Sequence, residues 1–399
     1  MKHKTNKKAS RTIGFLLLAI LLFGIVLLLM IASGVRWYAY LILSTCIGLL
    51  IFLRGKKFWH GWRVPLIWLF ALTLAWIGLF AGQPPLKLLP YTPLHMDYNA
   101  PQVDAAYEAE NALYKEYSIT PKDYFITLDQ YDIKIRVTEV GDGPPVIIVP
   151  GNTGEAYPFV PLLPELSDHT VYLINRPGGG MSEGINYMQI DSEQFAINTI
   201  SEVMDTLSID KADLIAHSMG GHWALWFTQA HPERVNTLTL IGCPGGLPGT
   251  GTPASLKLMR FPGITTFLRI LLETNQEKDT MKVSKSLGDI QGPFTSEAMS
   301  HCREVFPKLP NYPIAFTSLL EAGPLFQQEI LNNVELTALQ TPTLLLWGTN
   351  DPFGTPAAGQ AIADTLPNGT FHEIQDGSHL PWLDQPHQCG EIIKEFWKP

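Results

Sequence analysis

The chain of 399 residues carries 28 lysine and arginine residues against 37 aspartate and glutamate residues, a formal net charge of −9. Hydrophobic residues make up 46% and charged residues 16%, which excludes a mainly disordered chain. The charge is divided unevenly: residues 1–63 hold ten basic and no acidic residues, whereas residues 83–399 hold 18 basic and 37 acidic residues, a net −19. A nucleic-acid-binding protein needs a basic surface to neutralise phosphates, so this balance argues against a nucleic-acid partner.

Three uncharged apolar runs near the N-terminus predict a membrane anchor. The runs cover residues 12–35, 37–53 and 64–86 and are separated by basic residues, while a membrane-spanning helix needs about 20 apolar residues. We therefore expect an anchor over residues 1–86, with helices at about 12–35, 37–53 and 64–82. A cleaved signal peptide is the alternative for the first run, which is longer than the roughly 7–15 apolar residues of a signal sequence.

The basic residues also predict the orientation of this anchor, because loops rich in lysine and arginine stay in the cytoplasm. The N-terminal tail carries five basic residues and the loop 54–63 carries four, whereas only Arg36 lies between the first two runs. The N-terminus is thus expected in the cytoplasm and, after three crossings of the cytoplasmic membrane, residues 83–399 in the periplasm or outside the cell. The runs contain no charged residue or histidine, which indicates an anchor rather than an ion pathway.

Beyond the anchor we expect a linker at 87–119, containing a short helix at 105–117. Strand-like and helix-like segments then alternate, which predicts a mostly parallel sheet covered on both faces. The expected strands are 124–128, 134–139, 145–149, 171–174, 212–216, 235–241, 343–347 and 370–374, and the expected helices are 192–207, 220–229, 356–365 and 388–396. A region at about 243–340 interrupts this alternation and predicts a cap with helical pieces at 255–260, 265–273, 297–305 and 312–320.

A candidate nucleophile lies between the strand 212–216 and the helix 220–229. The sequence AHSMGG at 216–221 resembles the nucleophile elbow of the α/β-hydrolase superfamily, G-x-S-x-G, with alanine in the first position. The turn is so tight that the residues two positions from the serine must be small, as Ala216 and Gly220 are. The resemblance implies an α/β-hydrolase fold over residues 120–399, with a mostly parallel eight-stranded sheet, helices on both faces and a helical cap. It also implies that Ser218 is the nucleophile.

In this superfamily the catalytic acid and base follow the serine in that order. The sequence LLLWGTNDP at 344–352 resembles the acid loop, which implies that Asp351 is the acid. The sequence IQDGSHLP at 374–381 resembles the loop of the catalytic histidine, which implies that His379 is the base. Asp376 lies three residues before His379 and remains an alternative acid.

The resemblance also implies an oxyanion hole made of two backbone N–H groups. One is expected from Met219, directly after the nucleophile, and the other from Asn152 in the loop PGNTG at 150–154, with Thr153 as the alternative. The superfamily usually has His-Gly where this chain has Pro-Gly. The sequence RPGGGMS at 176–182 resembles the R-G-x-G-x-S turn of the superfamily and is interpreted as a structural turn along one wall of the site.

Serine rather than aspartate at the elbow implies an acyl-enzyme, so the expected function is hydrolysis of carboxylic esters. A small-molecule or lipid ester is the expected substrate, with lipid or acylated substrates suggested by the anchor. A lactone or carbon–carbon bond hydrolase with the same triad and a non-catalytic binding protein of the same fold are the alternatives. No cofactor and no metal are expected, since metal-binding clusters and phosphate loops are missing from the sequence. Cys243, Cys302 and Cys389 allow at most one disulfide, and the oligomeric state is left open.

Overall fold

The computed structural model of the chain describes residues 91–242, 246–251, 296–322 and 331–398. The three predicted membrane helices and the predicted cap pieces at 255–260 and 265–273 lie outside these residues. Within the described ranges, no helix is long and apolar enough to span a membrane.

One eight-stranded sheet forms the centre of the described part of the chain. Its strands are β1 (Lys122–Leu128), β2 (Ile133–Val140), β3 (Pro145–Val149), β4 (Thr170–Ile174), β5 (Ala212–His217), β6 (Val235–Ile241), β7 (Thr343–Gly348) and β8 (Gly369–Ile374). They lie in the order β1-β2-β4-β3-β5-β6-β7-β8, with β2 antiparallel to both of its neighbours and all other pairs parallel. The predicted mostly parallel eight-stranded sheet is confirmed.

The α-helices in the described residues are α1 (Pro101–Glu116), α2 (Ser192–Thr206), α3 (Met219–Ala230), α4 (Glu297–Val305), α5 (Tyr312–Ala322), α6 (Asn333–Ala338), α7 (Pro356–Thr365), α8 (Pro381–Asp384) and α9 (Pro386–Trp397). Side-chain hydrogen bonds at the N-cap explain where some of these helices begin. The Asp191 side chain accepts hydrogen bonds from the first turn of α2. Short helix α6 was not predicted, although Asn332 and Glu335 form a capping box at its start.

The parallel strands position the functional loops. Strands β5 and β7 are buried along their whole length, because helices cover both faces of a parallel sheet. Parallel strands all end at the same edge, so the loops that follow β3, β5, β6, β7 and β8 converge there. Each predicted candidate residue lies in one of these loops or at the start of the helix that follows.

Helix α1 packs into the core, although the sequence placed it in a linker. It begins at Pro101, earlier than the predicted residue 105, because the fixed φ of proline suits the first helical turn. Val103, Ala106 and Leu113 are fully buried, and the helix packs against α4 of the predicted cap. This part of the predicted linker therefore contributes to the folded core.

A buried ion pair holds α1 against the sheet. The Arg136 side chain on β2 donates to Glu110 of α1 and, over 2.8 Å, to Asp123 of β1. Both Arg136 and Glu110 are only 1% exposed. Removing one member of such a pair costs about 3–5 kcal/mol, because the other charge stays buried without a partner. The pair therefore fixes α1 in one position on the sheet.

Candidate active site

Ser218 lies in a strained turn between β5 and α3. Its backbone has φ 49° and ψ −125°, a conformation that costs a non-glycine residue about 1–3 kcal/mol. The Ser218 N–H donates to the carbonyls of Ile241 and Gly242 at 3.1 Å each, which holds the turn against the end of β6. The side chain is thereby presented at the carboxyl edge of the sheet, as the elbow motif predicts.

Two close backbone contacts explain the small residues around this turn. A Cβ atom at Gly220 would lie 2.2 Å from the carbonyl oxygen of Val149, so only glycine lets α3 begin directly against β3. A Cβ atom at Gly151 would lie 2.7 Å from Nδ1 of His217 and 3.2 Å from Cβ of Ser218. The loop after β3 therefore passes immediately beside the candidate nucleophile.

Asp351 and His379 form a buried hydrogen-bonded pair. Oδ2 of Asp351 accepts a hydrogen bond from Nδ1 of His379 over 2.8 Å, and its Oδ1 accepts from the backbone N–H of Phe353, also over 2.8 Å. The Phe353 ring stacks on the imidazole at a centroid distance of 4.3 Å. Because Nδ1 carries the donated proton, Nε2 of His379 is the basic atom of the ring.

His217 connects this pair to the nucleophile turn. Its Nε2–H donates to the backbone carbonyl of His379 over 3.0 Å, and the two rings lie 4.7 Å apart. Burial, followed by the nearby His379, lowers the pKa of His217 well below its usual range, so the residue is a neutral donor. The sequence analysis did not assign a role to His217, although its position directly before Ser218 was the available signal.

The structure makes one of the two hydrogen bonds that a serine triad requires. Nε2 of His379 is buried and has no hydrogen-bond partner among the described residues, so the bond to the Ser218 hydroxyl is not formed. Such bonds are often long in unliganded enzymes and shorten when substrate binds. The arrangement leaves Nε2 available as a proton acceptor.

Asp376, the alternative acid, does not contact His379. It is exposed in a tight turn, where its backbone N–H donates to the Thr349 hydroxyl over 2.9 Å. The carboxylate that bonds to the imidazole is that of Asp351.

The expected oxyanion donors lie on either side of Ser218. Met219 is the first residue of α3, and the N–H groups of a first helical turn have no partner within the helix. Asn152 directly follows Gly151 and is half-buried, whereas Thr153 is exposed, which favours Asn152 as the second donor. Gly154, at φ 76°, closes this loop by donating to Gly151 over 3.0 Å. The oxyanion roles stay predictions.

Arg176, in the turn after β4, forms hydrogen bonds to the loop after β3. Its Nη2 donates to the carbonyl of Gly151, and its backbone N–H donates to the carbonyl of Gly154 over 2.9 Å. The guanidinium carbon lies 5.0 Å from the centre of the Trp223 ring. The predicted structural turn therefore contributes a buried cation close to the site.

Glu155 is a buried carboxyl group in the loop after β3, and its substitution by glutamine should stabilise the protein more at pH 9 than at pH 5. Burial raises the pKa of Glu155 to about 8 from a usual value of 4.5. Between these two values the unfolded chain binds fewer protons than the folded protein, so the stability of the wild type falls as pH rises. Thermal unfolding of wild type and Glu155→Gln across this range measures the effect. A difference that does not change with pH would contradict this prediction, and Glu193→Gln at an exposed position of α2 controls for the glutamate-to-glutamine change itself.

Among the described residues, no group of three or more histidine, cysteine, aspartate or glutamate side chains could hold a metal ion. Cys302 and Cys389 are buried free thiols, and burial raises the pKa of Cys389 to about 12, which makes that thiol a poor nucleophile. Cys243 lies outside the described residues.

The sequence that forms this site matches a known protein family. The family model described as alpha/beta hydrolase fold matches residues 144–386. The 2-hydroxy-6-oxononadienedioate/2-hydroxy-6-oxononatrienedioate hydrolase of Burkholderia vietnamiensis is 26% identical over 290 residues, which cover 70% of this chain and 96% of that protein. The pimeloyl-[acyl-carrier protein] methyl ester esterase of Aeromonas hydrophila is 24% identical over 269 residues, covering 66% and 99% of the two chains.

Two solved structures share the fold at low sequence identity. A bacterial membrane phospholipase A aligns with a TM-score of 0.60 and 17% identity over 84% of this chain and 96% of its own. The 2-hydroxy-6-oxo-6-phenylhexa-2,4-dienoate hydrolase of a Rhodococcus strain aligns with a TM-score of 0.59 and 17% identity over 71% and 100%. At this level of identity the likeness concerns the fold.

Proposed function

The chain belongs to the α/β-hydrolase fold family and is a hydrolase, and on that premise we propose that it cleaves carboxylic esters through an acyl-enzyme on Ser218. The observation that carries this proposal is the strained Ser218 turn beside the buried Asp351–His379 pair. A serine hydroxyl is a weak nucleophile until a base removes its proton, and the pair supplies an oriented base.

In the proposed reaction the Ser218 oxygen attacks the ester carbonyl carbon while its proton moves to Nε2 of His379. Asp351 keeps the imidazole in the required tautomer and stabilises the imidazolium. The N–H groups of Met219 and Asn152 bind the oxyanion, each donor contributing about 3–4 kcal/mol. The imidazolium then protonates the departing alkoxide. Water attacks the acyl-enzyme by the same steps and returns the proton to Ser218.

Hydrolysis of a carbon–carbon bond is the second candidate, since the sequence relative from Burkholderia vietnamiensis is named as a 2-hydroxy-6-oxononadienedioate hydrolase. We favour esters because the esterase of Aeromonas hydrophila matches nearly the same length of chain and the ester reaction needs no group beyond the triad and oxyanion hole. The purified full-length protein should be assayed on simple alkyl esters, a lactone and a vinylogous 1,5-diketone acid, each with wild type and Ser218→Ala. Cleavage of the diketone acid without cleavage of any ester would replace the ester proposal by its rival.

We also propose that residues 1–86 anchor the enzyme in the cytoplasmic membrane, with the N-terminus in the cytoplasm and the hydrolase domain in the periplasm or outside the cell. The three uncharged runs and the basic tail and loop support this topology. A reporter protein that is active only in the cytoplasm, fused after Pro399, should be inactive. An active fusion would contradict the three-crossing topology.

The anchor in turn suggests lipid or acylated substrates held at the membrane. A series of esters of one alcohol with acyl chains of increasing length tests this point, using the full chain in detergent or lipid. The proposal expects kcat/KM to rise with chain length. Equal activity on acetyl and long-chain esters would remove the support for a lipid substrate and leave ester hydrolysis untouched.

A further inference from the structure

Arg176 carries its positive charge into the protein interior without a carboxylate to balance it. The residue is 1% exposed, and its Nε and Nη1 atoms are buried without hydrogen-bond partners in the described part of the chain. Its only side-chain hydrogen bond there is the one from Nη2 to Gly151. No ion pair of the described ranges includes it. Burial lowers the pKa of Arg176, the expected response of a cation without a counter-ion.

Arg136 is the other buried arginine described above, and it differs from Arg176 in having carboxylate partners within the protein. It is equally buried, but it contacts the carboxylates of both Glu110 and Asp123. Burying a charge without a partner strongly destabilises a protein, and the Trp223 ring beside Arg176 offsets only part of that cost. A counter-charge supplied by a ligand would explain why Arg176 lacks one from the protein.

A cleft beside Arg176 offers a place for such a ligand. This small cleft lies between the loop after β3 and α5. On the α5 side it is lined by Ala315, Phe316 and Leu319, and no acidic side chain of the described residues lines it. The cleft thus combines an apolar wall with one cation, an arrangement suited to a ligand with an apolar chain and an anionic end.

Asn152, which lines this cleft, directly follows Gly151, the residue that lies against the nucleophile turn. One side of Gly151 lies against Ser218, and its carbonyl accepts the hydrogen bond from Arg176. Only one residue of the loop therefore separates the guanidinium from the reacting serine. A substrate that extends past Gly151 would contact both Arg176 and Ser218.

We infer that Arg176 binds an anionic oxygen group of the substrate, a carboxylate or a phosphate, through its free N–H groups. The inference rests on the proposed ester hydrolysis, because the anionic group would belong to the ester that Ser218 attacks. Charge-assisted hydrogen bonds of this kind are about twice as strong as neutral ones. Since Nε and Nη1 are covered in the unliganded chain, the anion reaches them when α5 moves away from the loop, as cap helices do on substrate binding.

The test compares two esters that differ in one charge, monoethyl adipate and ethyl hexanoate. For the wild-type full chain, kcat/KM should be about tenfold or more higher for the acidic ester. In Arg176→Met the ratio should fall to about one, whatever the absolute rates, and Arg176→Lys should keep part of the preference. The matched control Arg234→Met removes a cation paired with Asp205 on the surface and should keep the wild-type ratio.

A binding measurement separates failure of this inference from failure of the ester proposal. Adipate or inorganic phosphate should raise the melting temperature of Ser218→Ala, and the rise should vanish in the double variant with Arg176→Met. A shift with adipate alone identifies a carboxylate, and a shift with phosphate alone identifies a phosphate. A wild-type ratio of one with no shift overturns the Arg176 site while ester hydrolysis stands. If neither ester is cleaved, the ester proposal fails and the thermal shift alone decides the site.

Discussion

Replacing Ser218 with alanine is expected to lower kcat on any cleaved ester by about 10⁴-fold or more, with little change in KM. The loss is this large because the serine, the base and the acid act as one unit, and the remaining rate comes only from binding and the oxyanion hole. Initial rates of the purified full-length variant measure the effect. A fluorophosphonate probe gives a second readout, because it should label the wild type on Ser218 and leave the variant unlabelled.

A matched serine-to-alanine change on a helix outside the site controls for general effects. Ser201 lies on α2, outside the site, so Ser201→Ala should keep the wild-type rate and labelling. Folded Ser218→Ala that still reacts with the probe would contradict the assignment of the nucleophile. Folded wild type that does not react at all would contradict the acyl-enzyme mechanism.

Replacing Asp351 with asparagine is expected to lower kcat by about 10³- to 10⁴-fold while leaving the fold intact. Asparagine has nearly the same shape, but its amide can donate to Nδ1 of His379 and so favour the wrong tautomer of the imidazole. It also removes the negative charge that stabilises the imidazolium. Initial rates over a range of pH, with circular dichroism as a check on folding, measure the loss.

Asp376→Asn is the natural control, because it makes the same chemical change three residues before His379. Asp376 is exposed and does not bond to the imidazole, so this variant should stay within a few-fold of the wild-type rate. If Asp376→Asn were the more damaging substitution, the pair seen in the structure would not be the catalytic one.

Local patterns in the sequence were sufficient to predict the positions of the strands and to identify the protein family. The strands β3 and β6 begin and end at the predicted residues. Strand β3 is a short apolar run that stops at Pro150-Gly151, and β6 is rich in β-branched and apolar residues. Ser218 was identifiable because its turn needs small neighbours at set positions, a requirement that a linear motif records. The same holds for Asp351 and His379, which follow strands β7 and β8 in the expected order.

Contacts between distant parts of the chain could be decided only by the tertiary structure. The packing of α1 against α4 joins residues far apart in sequence, so its amphipathic pattern could not show which element covers it. The bond from His217 to the His379 carbonyl spans 162 positions, so the place of His217 beside Ser218 could not show which group it bonds to.

Motifs that resemble the α/β-hydrolase superfamily were enough to identify the fold family and a short set of candidate residues, because such motifs are local. The membrane-anchor prediction came from the composition and charge of residues 1–86. Tertiary structure decided which carboxylate bonds to His379 and that Arg176 is buried beside an acid-free cleft without a counter-ion. Both depend on the three-dimensional surroundings of a side chain. Asp351 and Asp376, or Arg136 and Arg176, are chemically identical side chains that differ in the partners that folding brings to them.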